Sequence, residues 1–80
     1  MKPHVIVYSR PGCHLCDDAM RVIAEVKRET DLTLEEVNIE HDLELLQRYR
    51  FDIPVITING VEAFRHRVEP ATLRKALLKG

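Results

Sequence analysis

At 80 residues the chain has room for one domain, expected to span residues 1–80, with one modest core. Its 45% hydrophobic and 31% charged residues match an ordinary globular protein, and a net charge of −1 excludes the strong basic balance that nucleic acid or an anionic membrane would call for. No apolar run approaches the roughly 20 residues of a membrane span. No secretory leader precedes the first apolar segment, so the two cysteines point to a reducing cytoplasm, where a disulfide is transient rather than structural.

The first predicted element is a strand over residues 4–9, in which Val5, Ile6, Val7 and Tyr8 form the continuous apolar run of a strand covered on both faces. Arg10-Pro11-Gly12 stops it and lets the backbone turn. A helix follows to about Glu29, because Cys16, Ala19, Met20, Ile23 and Val26 recur at helical spacing, with Leu15 and Val22 widening the stripe. Residues 32–39 read as a second strand, and a helical crossover between two strands implies a right-handed parallel unit. Asp42 is placed as N-cap of a short second helix whose apolar positions are Leu43, Leu46 and Tyr49, with Leu45 beside them.

A third strand over residues 53–58 opens with Pro54, and Asn59-Gly60 turns it into a fourth over residues 61–66. That strand alternates as a one-sided or edge strand does. Glu69-Pro70 opens the last helix, whose apolar face is Val68, Leu73, Ala76 and Leu77. The order β-α-β-α-β-β-α is that of an α/β chain with a parallel pair followed by an antiparallel hairpin. The basic residues of the C-terminal half alternate with apolar positions and read as solvated faces.

The chemistry concentrates in Ser9-Arg10-Pro11-Gly12-Cys13-His14-Leu15-Cys16-Asp17, which holds both cysteines. A Cys-x-x-Cys at a strand-to-helix junction reads as a redox motif. Cysteines at i and i+3 of a first helical turn share a face and can be bridged. Cys13 sits where unpaired N–H groups and the positive end of the helix dipole favour a thiolate. Cys13 is therefore the attacking thiol and Cys16, one turn further in, the resolving one. A four-residue ring closes almost no loop, which argues against a structural disulfide. Arg10 can favour the Cys13 thiolate or meet a substrate carboxylate, and His14 can tune the nucleophile, although an ordinary solvated helix entrance carries such residues too. Cys13, His14 and Cys16 supply three soft donors where structural zinc wants four, so no metal is expected.

The segment Tyr8-Ser9-Arg10-Pro11-Gly12-Cys13-His14-Leu15-Cys16 resembles the active-site segment of glutaredoxins, and Ile53-Pro54-Val55-Ile56-Thr57-Ile58-Asn59-Gly60 resembles their proline-led hairpin. The resemblance covers essentially the whole chain, and the tail from Ala63 to Val68 is similar to that of a poorly characterised branch of these short proteins. It implies a thioredoxin-like fold: a four-stranded mixed sheet of order 2-1-3-4, with the first and third helices on one face and the second on the other. It also implies a cis Ile53–Pro54 bond beside the cysteine pair, with the backbone of Ile53 pairing with the main chain of a substrate. The chain departs from glutathione-using members. His14-Leu15 replaces the aromatic residue between the cysteines, Asp52-Ile53 precedes the proline instead of Thr-Val, and residues 65–69 lack the Gly-Gly that follows the last strand.

The function expected is that of a cytoplasmic, monomeric thiol–disulfide oxidoreductase that reduces protein or glutathione mixed disulfides. It would bind no cofactor, with glutathione as a co-substrate and a reductase or other electron donor as partner. Two other classes stay open. One is a glutaredoxin-like carrier of an iron–sulfur cluster, held by thiols of two chains or of glutathione. The other is an interaction domain whose cysteines do no chemistry.

Overall fold

The computed structural model describes residues 2–79. Its elements run β1 (His4–Ser9), α1 (His14–Lys27), β2 (Thr33–Asn38), a single 3-10 turn (Ile39–His41), α2 (Leu43–Tyr49), β3 (Val55–Ile58), β4 (Val61–Arg65) and α3 (Pro70–Lys79). The strands form one sheet of order β2-β1-β3-β4, the order implied by the glutaredoxin resemblance. β1 pairs parallel with β2 and antiparallel with β3, and β3 pairs antiparallel with β4. No helix among the described residues is long and apolar enough to cross a membrane.

Successive strand residues point to opposite faces, and the two faces are unequal. On one, Val5, Val7, Ile56 and Ile58 pack with Ala19, Ile23 and Val26 of α1 and Leu73 and Leu77 of α3. On the other, Val55 packs with Ile39 and Tyr49, with Tyr8, Leu45, Leu46 and Ile53 around them. Helices α1 and α3 thus cover one face and α2 the other. The second cover is the thinner, so β1 is not buried on both sides as its apolar run suggests. Val5, Val7 and Ser9 are buried, whereas Ile6 and Tyr8 are half-buried. Tyr8 stacks on Tyr49 with ring centroids 5.0 Å apart.

Local chemistry sets the joints. Asn59 and Gly60 adopt φ of 52° and 84°, the left-handed pair that a two-residue hairpin between Ile58 and Val61 requires. The Asn59 side chain accepts from the His4 N–H at 2.9 Å, and its own N–H donates to the His4 carbonyl at 2.8 Å, which ties the hairpin to the start of β1. Asp42 caps α2 as expected, accepting from Glu44 N–H at 2.9 Å and Leu45 N–H at 3.3 Å. Ile39, expected to end the second strand, instead opens the 3-10 turn, which Asn38 makes by accepting from Glu40 N–H at 2.9 Å. Three expectations are corrected. Leu43 is 69% exposed, and Leu45, Leu46 and Tyr49 do the packing. The third strand begins at Val55 rather than residue 53. β4 carries an irregularity opposite Ile56/Thr57, so Phe64 and Glu62 pair with adjacent residues and the alternation read along it is broken.

One interior polar atom is uncompensated: Thr57 is buried, and its Oγ1 has no hydrogen-bond partner among the described residues. A buried unsatisfied hydroxyl costs about 1–3 kcal/mol. Thr57→Val is therefore expected to raise the urea midpoint, with a gain on the order of 1 kcal/mol. A loss of stability in that variant would show that the hydroxyl is satisfied in solution.

Candidate functional site

The cysteine motif lies at the C-terminal end of β1. Gly12, at φ 81°, turns the chain in a left-handed conformation that other residues enter at a cost. Cys13 then stands as the N-cap of α1 with extended backbone, φ −91° and ψ 105°. Its Sγ accepts from the Cys16 N–H at 3.1 Å, and its carbonyl accepts from the Asp17 N–H at 3.1 Å. Cys13 and Cys16 are joined by a disulfide, with Cα atoms 5.2 Å apart. The two cysteines differ in exposure: Cys16 is 1% exposed, whereas Cys13 is only half-buried. An N-cap position on a 14-residue helix offers a sulfur the N–H donors and dipole end that favour its anion.

The other expected site residues fall into two groups. Register brings Pro54 to the motif: Tyr8 pairs with Val55, which puts Pro54 level with Ser9 at the end of β1. Pro54 is buried, and the Ile53–Pro54 bond is cis. Ile53 is half-buried, and its N–H and C=O make no hydrogen bond among the described residues. Arg10 and His14 are less engaged with the pair. Arg10 is exposed, and its Nη2 donates to Glu40 Oε2 at 2.8 Å, which directs its charge toward the 3-10 turn. His14 is the first residue of α1, exposed, with no ion pair or side-chain hydrogen bond among the described residues.

Two shallow clefts flank the motif. One, of about 220 Å³, lies between the start of α1 and the link from β4 to α3, lined by Leu15, Asp18, Ala19 and residues 66–69. Leu15, assigned to the helix core stripe, is 38% exposed and faces this cleft. The other, of about 240 Å³, lies on the β2 side and includes Ser9, Arg10, Asp17 and Glu36. Ser9 is buried, and its Oγ donates to Glu36 Oε2 at 2.9 Å.

Sequence reasoning missed the polar group around Asp52. Arg65 Nη1 lies 3.2 Å from Asp52 Oδ2, and the same guanidinium is gripped through Nε and Nη2 by Glu62. His66 holds φ 67°, donates its N–H to the Pro54 carbonyl at 2.8 Å, and has its Nε2 4.0 Å from Asp52 Oδ1. In the stretch that lacks a Gly-Gly, a histidine thus takes a left-handed conformation. Among the described residues no three His, Cys, Asp or Glu side chains come together as a metal site.

Comparison with known proteins bears on this geometry. The family profile described as Glutaredoxin-like domain (DUF836) matches residues 4–78. The chain is 31% identical over 68 residues to the glutaredoxin-like protein YDR286C homolog of Dictyostelium discoideum, in a match covering 78% of this chain and 63% of that protein. It therefore spans less than two thirds of that relative's length. The X-ray structure of XcR50 from X. campestris superposes with a TM-score of 0.81 at 25% identity, over 95% of this chain and 97% of that one. Oxidised mitochondrial thioredoxin 3 of Saccharomyces cerevisiae superposes with a TM-score of 0.72 at 12% identity, over 99% of this chain and 79% of that one, which shows the shared fold.

The Arg65 cluster has a pH signature. The hydrogen bond from Arg65, aided by its charge and opposed by desolvation, holds the Glu62 carboxyl below its ordinary value of 4.5. A carboxyl whose value is lowered on folding stabilises the fold above the unfolded value, and that contribution is lost as pH falls through the folded one. Glu62→Gln should therefore be less stable than wild type near neutral pH, with the gap closing in acid below about 4.5 and shrinking in salt. Urea midpoints between pH 7 and pH 3 test this; a gap independent of pH would contradict it.

Proposed function

The chain belongs to the glutaredoxin-like family, and from that premise we propose that it is a dithiol oxidoreductase that reduces disulfides of proteins or mixed disulfides of glutathione. The observation that carries this reading is the unequal burial of the two bonded cysteines. Cys13, half-buried at the helix N-cap, can meet a substrate, whereas Cys16 is sealed beneath it. An inert structural bridge has no need of that asymmetry.

In the reduced protein the Cys13 thiolate attacks one sulfur of a substrate disulfide. A Cys13–substrate disulfide forms, and the other substrate sulfur leaves as a thiolate that takes up a proton. Cys16 then releases its proton, and its Sγ attacks Cys13 Sγ, expelling the second substrate thiolate. Two electrons pass to the substrate, whose two thiolates take up the Cys16 proton and one from solvent, and the chain is left with the Cys13–Cys16 bond that the structure contains. A thiol such as glutathione, or a reductase acting as electron donor, restores the dithiol. The free N–H and C=O of Ile53 suit a substrate strand laid alongside, in the manner of an added β-strand. Pro54, level with Ser9, borders that strand, while Arg10 and His14 stand at the exposed entrance to α1 where a substrate would pass. This is chemistry for a reducing compartment such as the cytoplasm, carried out by a monomer with no bound cofactor.

The test is capture of the intermediate. Cys16→Ser, mixed separately with a glutathionylated peptide and with a protein disulfide, should accumulate a covalent adduct on Cys13 that mass spectrometry detects; Cys13→Ser should form none. The substrate captured faster identifies the preferred partner. Adducts on neither variant, or equal capture by Cys16, would contradict the proposed roles.

A further inference from the structure

We infer that Arg65 is a positioning residue, which holds the Asp52-Ile53-Pro54 segment in the pose that receives the main chain of a substrate; this inference rests on the dithiol reading above. Ile53 offers an N–H and a C=O that nothing else among the described residues uses, yet the residues on either side of it are tied down. Asp52 donates its N–H to the Tyr49 carbonyl at 2.8 Å, and the Pro54 carbonyl accepts the His66 N–H at 2.8 Å. The side chains complete the grip. Asp52 Oδ2 sits 3.2 Å from Arg65 Nη1, and Glu62 takes the other edge of the same guanidinium. Arg65 is paired in register with Val55, so this cation sits on the strand next to the segment it holds.

The stability such a cluster can confer does not explain it. Asp52, Glu62 and Arg65 have side chains 30%, 35% and 49% exposed, and exposed ion pairs contribute little to folding. What a planar guanidinium shared by two carboxylates does well is fix direction, because its donors form a rigid fork that a lysine lacks. One carboxylate orients the fork from within β4, and the fork orients Asp52 across the gap. Loosening it would leave the cysteines untouched and let the free groups of Ile53 wander from the line of an incoming strand.

The substrates that feel this are those with a main chain to offer. Arg65→Ala is expected to lower kcat/KM for a peptide disulfide by about fivefold to tenfold, chiefly through KM. Reduction of hydroxyethyl disulfide, which has no peptide group for Ile53, should stay close to wild type, and so should alkylation of Cys13 by iodoacetamide. Arg65→Lys keeps the charge but not the fork and should recover only part of the loss. Asp52→Asn should reproduce the defect, and the Asp52→Asn/Arg65→Ala double variant should be little worse than either alone, since both remove one device. Equal losses on the peptide and the small disulfide, a loss confined to kcat, or additive losses in the double variant would each overturn the assignment. A wild-type protein that reduces neither substrate would overturn the dithiol reading itself, and this role with it.

Discussion

The edge that carries the Cys13–Cys16 pair depends on the register in which β1 pairs with β3. These are the two central strands, and their alternation sends Val5, Val7, Ile56 and Ile58 into the core beneath α1 and α3. A slip of one residue would turn that set to the opposite face, so the larger of the two cores locks the register. Tyr8 then meets Val55, and Pro54 comes level with Ser9, where the chain leaves the sheet for the cysteine loop. Residues some 40 positions apart in sequence thus form one edge without any contact of their own needing to hold them.

At that edge, the cap and the proposed nucleophile are the same atom. A helix start wants an oxygen acceptor, and serine or aspartate serves best. Cys13 puts a weak neutral acceptor there instead, bonded to the Cys16 N–H at 3.1 Å. When the thiol ionises it becomes a charged acceptor, and charge-assisted hydrogen bonds are roughly twice as strong as neutral ones. The substitution is poor for a resting helix and good for a thiolate. Local rules are commonly broken in this way at functional sites.

Much of this was legible in the chain because it rests on local signals. Pro11-Gly12 before Cys13, Asn59-Gly60 after Ile58, Asp42 before α2 and Pro70 at the start of α3 each mark a joint through backbone chemistry that needs no tertiary partner. Periodicity identified the buried stripe of α1 and the face of α3. Misreadings came where partners decide. Leu43 and Leu15 fit their helical stripes by spacing, yet Leu43 is exposed and Leu15 lines an open cleft rather than the core. The irregularity in β4 and the 3-10 turn depend on pairing and on one asparagine side chain. The Asp52, Glu62, Arg65 and His66 cluster joins segments from two sides of a hairpin, and along the sequence its members look like the solvated face of an edge strand.

The central claim is that the helix N-cap makes Cys13 the nucleophile and leaves Cys16 in reserve. The most direct measurement is the pH dependence of alkylation of each cysteine in the reduced protein, resolved by peptide mass spectrometry. The account predicts that Cys13 reacts far faster near neutral pH, with a midpoint below the roughly 8.5 of a free thiol. Cysteines that react slowly and alike, both with midpoints near that free value, would contradict it.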